Sequence, residues 1–162
     1  METLPTGFRY RGARALVLLH ERYMRRFLLA WRDADAADLV LPETTDIDYA
    51  SRAALLRHVF GAAGNYIRWM TAQLELPDPA LDEPPDVDTI AVRADDYLEH
   101  LLERWRTPLA DVPVERFGDR TYPVWGVAST VEGVLEHAVM HPIRHTFQLE
   151  ELMGHDLPPT GE

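Results

Sequence analysis

The sequence predicts an all-α fold, an antiparallel up-and-down bundle of four helices with a long loop, able to hold a hairpin, before the fourth. Three observations predict it. Four stretches carry apolar side chains at three- and four-residue steps, the period of one helix face. Acidic, proline-rich connections that cannot continue a helix separate them. The chain has 162 residues, 46% of them hydrophobic, and no internal repeat, enough for one core and one domain over residues 1–162.

The first helix is predicted over residues 11–32, with Ala15, Leu18, Leu19, Arg22, Tyr23, Phe27 and Ala30 on its broad inner face. The second covers residues 49–74 and uses Leu55, Val59, Ala62, Tyr66, Trp69 and Met70. Residues 76–85, with four prolines, read as a surface loop. The third helix covers residues 88–109, with Ile90, Ala94, Tyr97, Leu98, Leu101, Leu102 and Trp105 inward. Residues 112–122, around the turn Phe117-Gly118-Asp119, suggest a short hairpin or a lid. The fourth helix covers residues 130–153 and uses Val134, Ala138, His141, His145, Gln148, Leu149 and Leu152. Ser129-Thr130-Val131-Glu132 fits a capping box at its start, and Gly154 a left-handed cap at its end, with Pro158 and Pro159 beyond.

Composition then excludes several functions. A net charge of −11 argues against nucleic acid and anionic membrane surfaces as partners. No uncharged run exceeds 11 residues, too few to span a bilayer, and the start Met-Glu-Thr-Leu-Pro does not resemble a signal peptide, so the chain reads as cytoplasmic. Cysteine is absent, which removes disulfides, thiolate metal sites and a cysteine nucleophile. All 16 basic residues are arginine, so there is no lysine for a Schiff base or a P-loop. Of the two serines, Ser51 and Ser129, neither sits in a Gly-x-Ser-x-Gly elbow. An enzyme with this composition takes its nucleophile from water or a cosubstrate.

Histidines are the residues that carry chemistry. His137, His141 and His145 recur every four residues and share a helix face with Val134, Ala138 and Gln148. Two histidines at i and i+4 can pinch one ion, but i and i+8 are about 12 Å apart along the axis, so one outer histidine is spare. A third ligand must come from another helix. The candidate is His58, between Leu55 and Ala62 on the second apolar stripe. In an up-and-down bundle the second and fourth helices run in the same direction, which places His58 and His141 at depths about 6 Å apart. The plain alternative is that all these histidines are core or surface residues satisfied by neighbours. Pro142, mid-helix, removes a hydrogen bond and suggests either a kink that re-aims His141 and His145 or a tolerated one. His20, His100 and His155 read as surface or interhelical residues without a role. Trp31, Trp69, Trp105 and Trp125 read as core or interface, and Met24, Met70, Met140 and Met153 as packing.

A histidine after two leucines on the second helix, then His-x-x-x-His-x-x-Gln on the fourth, resembles the DinB/YfiT-like family of four-helix-bundle metalloproteins. The resemblance extends over residues 11–154. It implies that His58, His141 and His145 bind a divalent ion, zinc or nickel, with Gln148 in the place of the family's glutamine and His137 as the non-ligand. Here the motif ends His145-Thr146-Phe147-Gln148, without the family's common Arg-Gly, and Pro142 is not a usual feature. Relatives include isomerases and S-transferases that use a small thiol such as mycothiol or bacillithiol.

Three histidine ligands leave a tetrahedral ion one open position, the arrangement of catalytic rather than structural zinc. Such an ion lowers the pKa of bound water or holds a thiol as thiolate, supplying the missing nucleophile. The leading expectation is a metal-dependent thiol S-transferase or hydrolase-like enzyme acting on an electrophilic substrate. Glu136, Gln148 and Tyr66 are candidates to accept the outer ring N–H groups. Residues 112–125 are placed to cover the site, where Arg116 and Arg120 either meet an acidic substrate or are plain surface charge. The alternatives are a bundle that binds metal without turnover, and a metal-free interaction module; a homodimer is expected.

Overall fold

The computed structural model describes residues 6–155. The remarks above on residues 1–5 and on Pro158 and Pro159 lie outside them. The described chain is mostly helical: α1 is Arg11–Ala36, α2 Arg52–Gln73, α3 Ile90–Trp105 and α4 Val131–Leu152. Two short 3-10 turns, Ile47–Tyr49 and Val114–Phe117, precede α2 and the hairpin β1 (Tyr122–Val124) and β2 (Val127–Ser129). No described helix is long and apolar enough to cross a membrane.

Local chemistry sets the helix ends. Ser51 accepts the backbone N–H of Ala54 at 3.0 Å, so α2 starts three residues later than the period alone suggests. Thr130, not Ser129, caps α4, accepting from Gly133 N at 3.0 Å. The capping box is therefore not formed as expected, and Glu132 instead accepts from the Tyr10 hydroxyl. Gly154 does take the left-handed conformation, at φ +73°. The N–H groups of Gly154 and His155 close on the carbonyls of Glu151 and Glu150. The same closure ends α1 and α2, but there Asp38 and Glu75 hold positive φ, at 49° and 57°. Pro142 does not end α4, which runs unbroken to Leu152. The Thr146 hydroxyl donates to the Pro142 carbonyl at 2.7 Å.

The helices close on one core whose largest fully buried side chains include Phe27, Trp31, Phe60 and Trp105. The predicted inner face of α1 is rotated. Ala15 and Arg22 are exposed, and, with Leu28 buried beside it, the central buried stripe is Ala13, Val17, His20, Met24, Phe27, Trp31 and Ala34. Those residues step by four and three in strict alternation, the seam of a coiled-coil-like contact. Trp31 and Trp105 anchor neighbours through their indole N–H groups, to Arg52 O at 2.7 Å and Ala63 O at 3.0 Å. Met140, expected to pack, is 53% exposed.

Side-chain contacts also give the helix directions, and they correct the alternating order. On α4, Glu132 meets Tyr10 and Glu150 meets Arg26, so α1 and α4 run the same way. Phe60 packs on Tyr97 and Ala63 bonds to Trp105, so α2 and α3 run the same way. Along the seam between α2 and α4, His58 meets His145 whereas Tyr66 meets His137, so these two run in opposite directions. The long proline-rich connection makes this possible. Residues 74–89 can extend about 50 Å, more than the roughly 33 Å needed to return along α2.

Candidate metal centre

The seam between α2 and α4 carries the site. His58 lies two turns into α2, half-buried; His141 and His145 lie one turn apart on α4, 6% and 4% exposed. Opposed helix directions still bring them level, since His58 is near the start of α2, His141 at the middle of α4 and His145 beyond it. One ring nitrogen from each histidine falls within 4.8 Å of the other two. The Nε2 atoms of His58 and His141 are 3.2 Å apart. Two nitrogens bound to one tetrahedral zinc, each about 2.0–2.1 Å away, would be about 3.3–3.4 Å apart. These three histidines could therefore hold one metal ion.

The outer nitrogens explain the orientation. Nδ1 of His58 lies 3.2 Å from Asp48 Oδ2, and Nδ1 of His145 lies 2.9 Å from Gln148 Oε1. Both partners can only accept at these oxygens, so each Nδ1 carries a hydrogen and Nε2 is the nitrogen left facing inward. This is the tautomer a metal requires, held by second partners of the kind found around bound zinc. Burial pushes His141 down to about 3, helped by the neighbouring imidazoles and Arg144. Burial, then His58, pushes His145 down to about 4 against the opposing Gln148 bond. Both rings are thus neutral at physiological pH.

His137 points along the seam, against Tyr66 at 5.5 Å and Trp125 at 4.4 Å between ring centroids, and is not among the three. Of the expected outer partners, Gln148 is in place. Tyr66 offers only its ring, edge-on to His141 at 5.8 Å, and the exposed Glu136 bonds to none of the three histidines. Arg116 pairs with Asp119 at 3.6 Å, Arg120 is exposed, and neither lines a cavity beside the histidines. His100 ties the proline-rich loop to α3 by accepting from Asp82 N at 3.1 Å. His20 is interhelical but wholly buried, and His155 is exposed.

Asp48 and Tyr49 escape sequence reasoning. They sit on the 3-10 turn before α2, where Asp46 accepts from Asp48 N at 3.0 Å. That turn folds over the histidines and puts the Tyr49 hydroxyl 3.4 Å from His58 Nε2. Burial and the nearby Asp46 and Asp48 raise its pKa, so the hydroxyl keeps its proton. The apolar period carries the second helix back to Tyr49 and hides this turn, and no local rule links Asp48 to a histidine ten residues on.

Cavities open on both sides. One of about 370 Å³ lies beyond Tyr49 and is lined by Gln148, Leu149 and Leu152. Another of about 290 Å³ lies between His58 and the hairpin. The hairpin turn is Trp125-Gly126, with φ of 51° and 80°, rather than the predicted Phe117-Gly118-Asp119. Two successive positive φ values define the tight turn that suits a twisted hairpin and favours Asn-Gly. A bulky residue there costs about 1–3 kcal/mol of backbone strain.

Compared with known proteins, the chain matches no family model, no curated protein and no solved structure.

Proposed function

We propose that this chain is a DinB/YfiT-like metalloprotein in which His58, His141 and His145 hold one divalent ion, zinc or nickel, and that it works as a thiol S-transferase or hydrolase-like enzyme. One observation carries the reading: two of the three histidines have their outer nitrogens occupied by Asp48 and Gln148, which aims the inner ones at a shared point. Held by His58, His141 and His145, such an ion would supply Lewis acidity toward a water or thiol. The chain's own residues do the rest. Asp48 and Gln148 hold the tautomers, and the Tyr49 hydroxyl, beside His58, donates a hydrogen bond to an anionic oxygen or sulfur. The flanking cavities give two organic molecules room on either side of the histidines.

A small-molecule thiol, an electrophilic cosubstrate, a cytoplasmic location and a homodimer belong to the same proposal. Calorimetry of metal-stripped protein with zinc and with nickel is expected to give one site per chain. Metal-loaded protein incubated with a bacterial thiol and an alkylating electrophile is expected to consume both faster than stripped protein. Stoichiometric binding with no rate above that control would leave a metal-binding protein and remove the enzyme. No binding would remove both.

A further inference from the structure

Trp125 is in the wrong place for a residue chosen only to make a hairpin. It occupies the first of two left-handed positions, where asparagine, aspartate or glycine is favoured. It is also 60% exposed, an expensive posture for the largest apolar ring. The ring nevertheless has a defined seat. It lies across His137 at 4.4 Å with 38° between planes, and meets Tyr66 at 5.9 Å and a right angle. Backbone strain together with an exposed, seated aromatic ring points to a surface kept for a ligand.

The neighbouring cavity says which ligand. Its walls are the rings of Tyr66, Trp69 and Trp125 with the aliphatic Ala62, Val124 and Val134. Among the described residues no carboxylate, guanidinium or ammonium lines it, so a charged group would be desolvated there without a counter-charge. Asn65 is the one amide on the wall, and His58 closes the end nearest the metal centre. Three aromatic walls select a flat ring over an alkyl chain, because ring edges and faces pair by their quadrupoles. An apolar cavity of about 150 Å³ holds benzene, so about 290 Å³ has room for a fused two-ring system.

We propose that the space between α2 and the hairpin is a binding subsite for a planar, uncharged aromatic group, with Trp125 as its outer wall and Asn65 meeting one hydroxyl or carbonyl on its rim. The catalytic meaning of this subsite, as the place where the electrophile's ring sits, rests on the metal reading above; the binding itself does not.

The test uses metal-stripped full-length chain titrated with 2-naphthol, followed by two-dimensional NMR. Saturable binding is expected, with shifts at Asn65, Tyr66 and Gly126. Decahydro-2-naphthol, the saturated molecule of the same skeleton, is expected to bind at least 10-fold more weakly. Trp125→Asn is expected to weaken 2-naphthol at least 10-fold while its thermal midpoint stays level or rises, because Asn-Gly is the favoured pair for this turn. Trp125→Phe is expected to keep part of the affinity. The proposal is overturned if the asparagine variant binds like the unmodified chain, if the saturated molecule binds equally well, or if 2-naphthol does not bind at all. Naphthol binding by a chain that takes up no zinc removes the metal reading alone. Zinc uptake without naphthol binding removes the subsite alone.

Discussion

His20 and His145 are buried almost alike, 0% and 4% exposed, yet the fold treats them in opposite ways. His20 lies in the seam of α1, stacked on Trp105 at 3.8 Å, and neither ring nitrogen has a hydrogen-bond partner among the described residues. His145 has its outer nitrogen on Gln148 and its inner one turned toward two other imidazoles. Burial depresses the basicity of both, to about 3 and about 4. A low pKa therefore does not distinguish a ligand from a core ring. What distinguishes them is a partner on the outer nitrogen and company for the inner one.

The strongest way to break this contrast is to remove one of the three clustered histidines. His141→Ala is expected to weaken zinc binding by more than about 100-fold, because loss of an outer partner alone costs about 10–100-fold. His20→Ala, by the same calorimetry, should leave zinc affinity unchanged if the chain stays folded. Equal losses in the two variants would mean that the three-histidine cluster is not the site.

Removing an outer partner sharpens it. Asp48→Ala is expected to lower zinc affinity by about 10–100-fold with stability unchanged, since Asp48 itself is exposed and makes no core contact. An affinity within a factor of two of the parent chain would show that His58 is oriented by packing alone.

The next effect concerns His20. Its folded pKa is depressed below the ordinary 6.5, so the unfolded chain takes up the proton first. The stability it permits is present above about pH 6.5 and is lost as the pH falls toward 3. Between pH 7 and pH 5 this amounts to about 2 kcal/mol. His20→Met removes two unpaired nitrogens, worth about 1–3 kcal/mol, against a ring stack worth about 0.5–1.5. Urea unfolding should show a net gain of about 1 kcal/mol at pH 7 and a larger one at pH 5. A variant with the same acid slope as the parent would exonerate His20.

Strain provides the smallest comparison. Glu75 and Trp125 both hold left-handed backbone, but Glu75 does so at an exposed helix end and lines neither cavity beside the histidines. Glu75→Gly is expected to stabilise the chain by about 1 kcal/mol and to alter no ligand binding. A thermal midpoint that does not rise would mean that the Glu75 side chain contributes interactions that offset its backbone cost.

Much of the fold was legible because it is periodic. Four apolar stripes, the Thr130 neighbourhood and Gly154 are statements about neighbours three or four residues apart, and each helix appears within about four residues of where those signals place its ends. The inner face of α1 was misread for a physical reason: its seam contains a histidine, and a polar residue breaks an apolar stripe even when the fold buries it whole. The histidine pair on α4 was legible because one turn separates its members. Which third residue joins it was only a candidate, since no local rule links residue 58 to residue 141.

By itself the sequence determined helices, their faces in three cases of four, and a nucleophile-poor composition that leaves chemistry to histidines or to a bound group. Tertiary structure decided the directions in which the helices run, because a 16-residue connection is long enough to let α3 follow α2 in parallel. It also decided that Asp48, Tyr49 and Trp125, none of them on the periodic faces, come to rest around His58 and its neighbours. Periodicity is a property of one helix, whereas convergence on a point requires distances between separate ones, and those are set only when the core has packed.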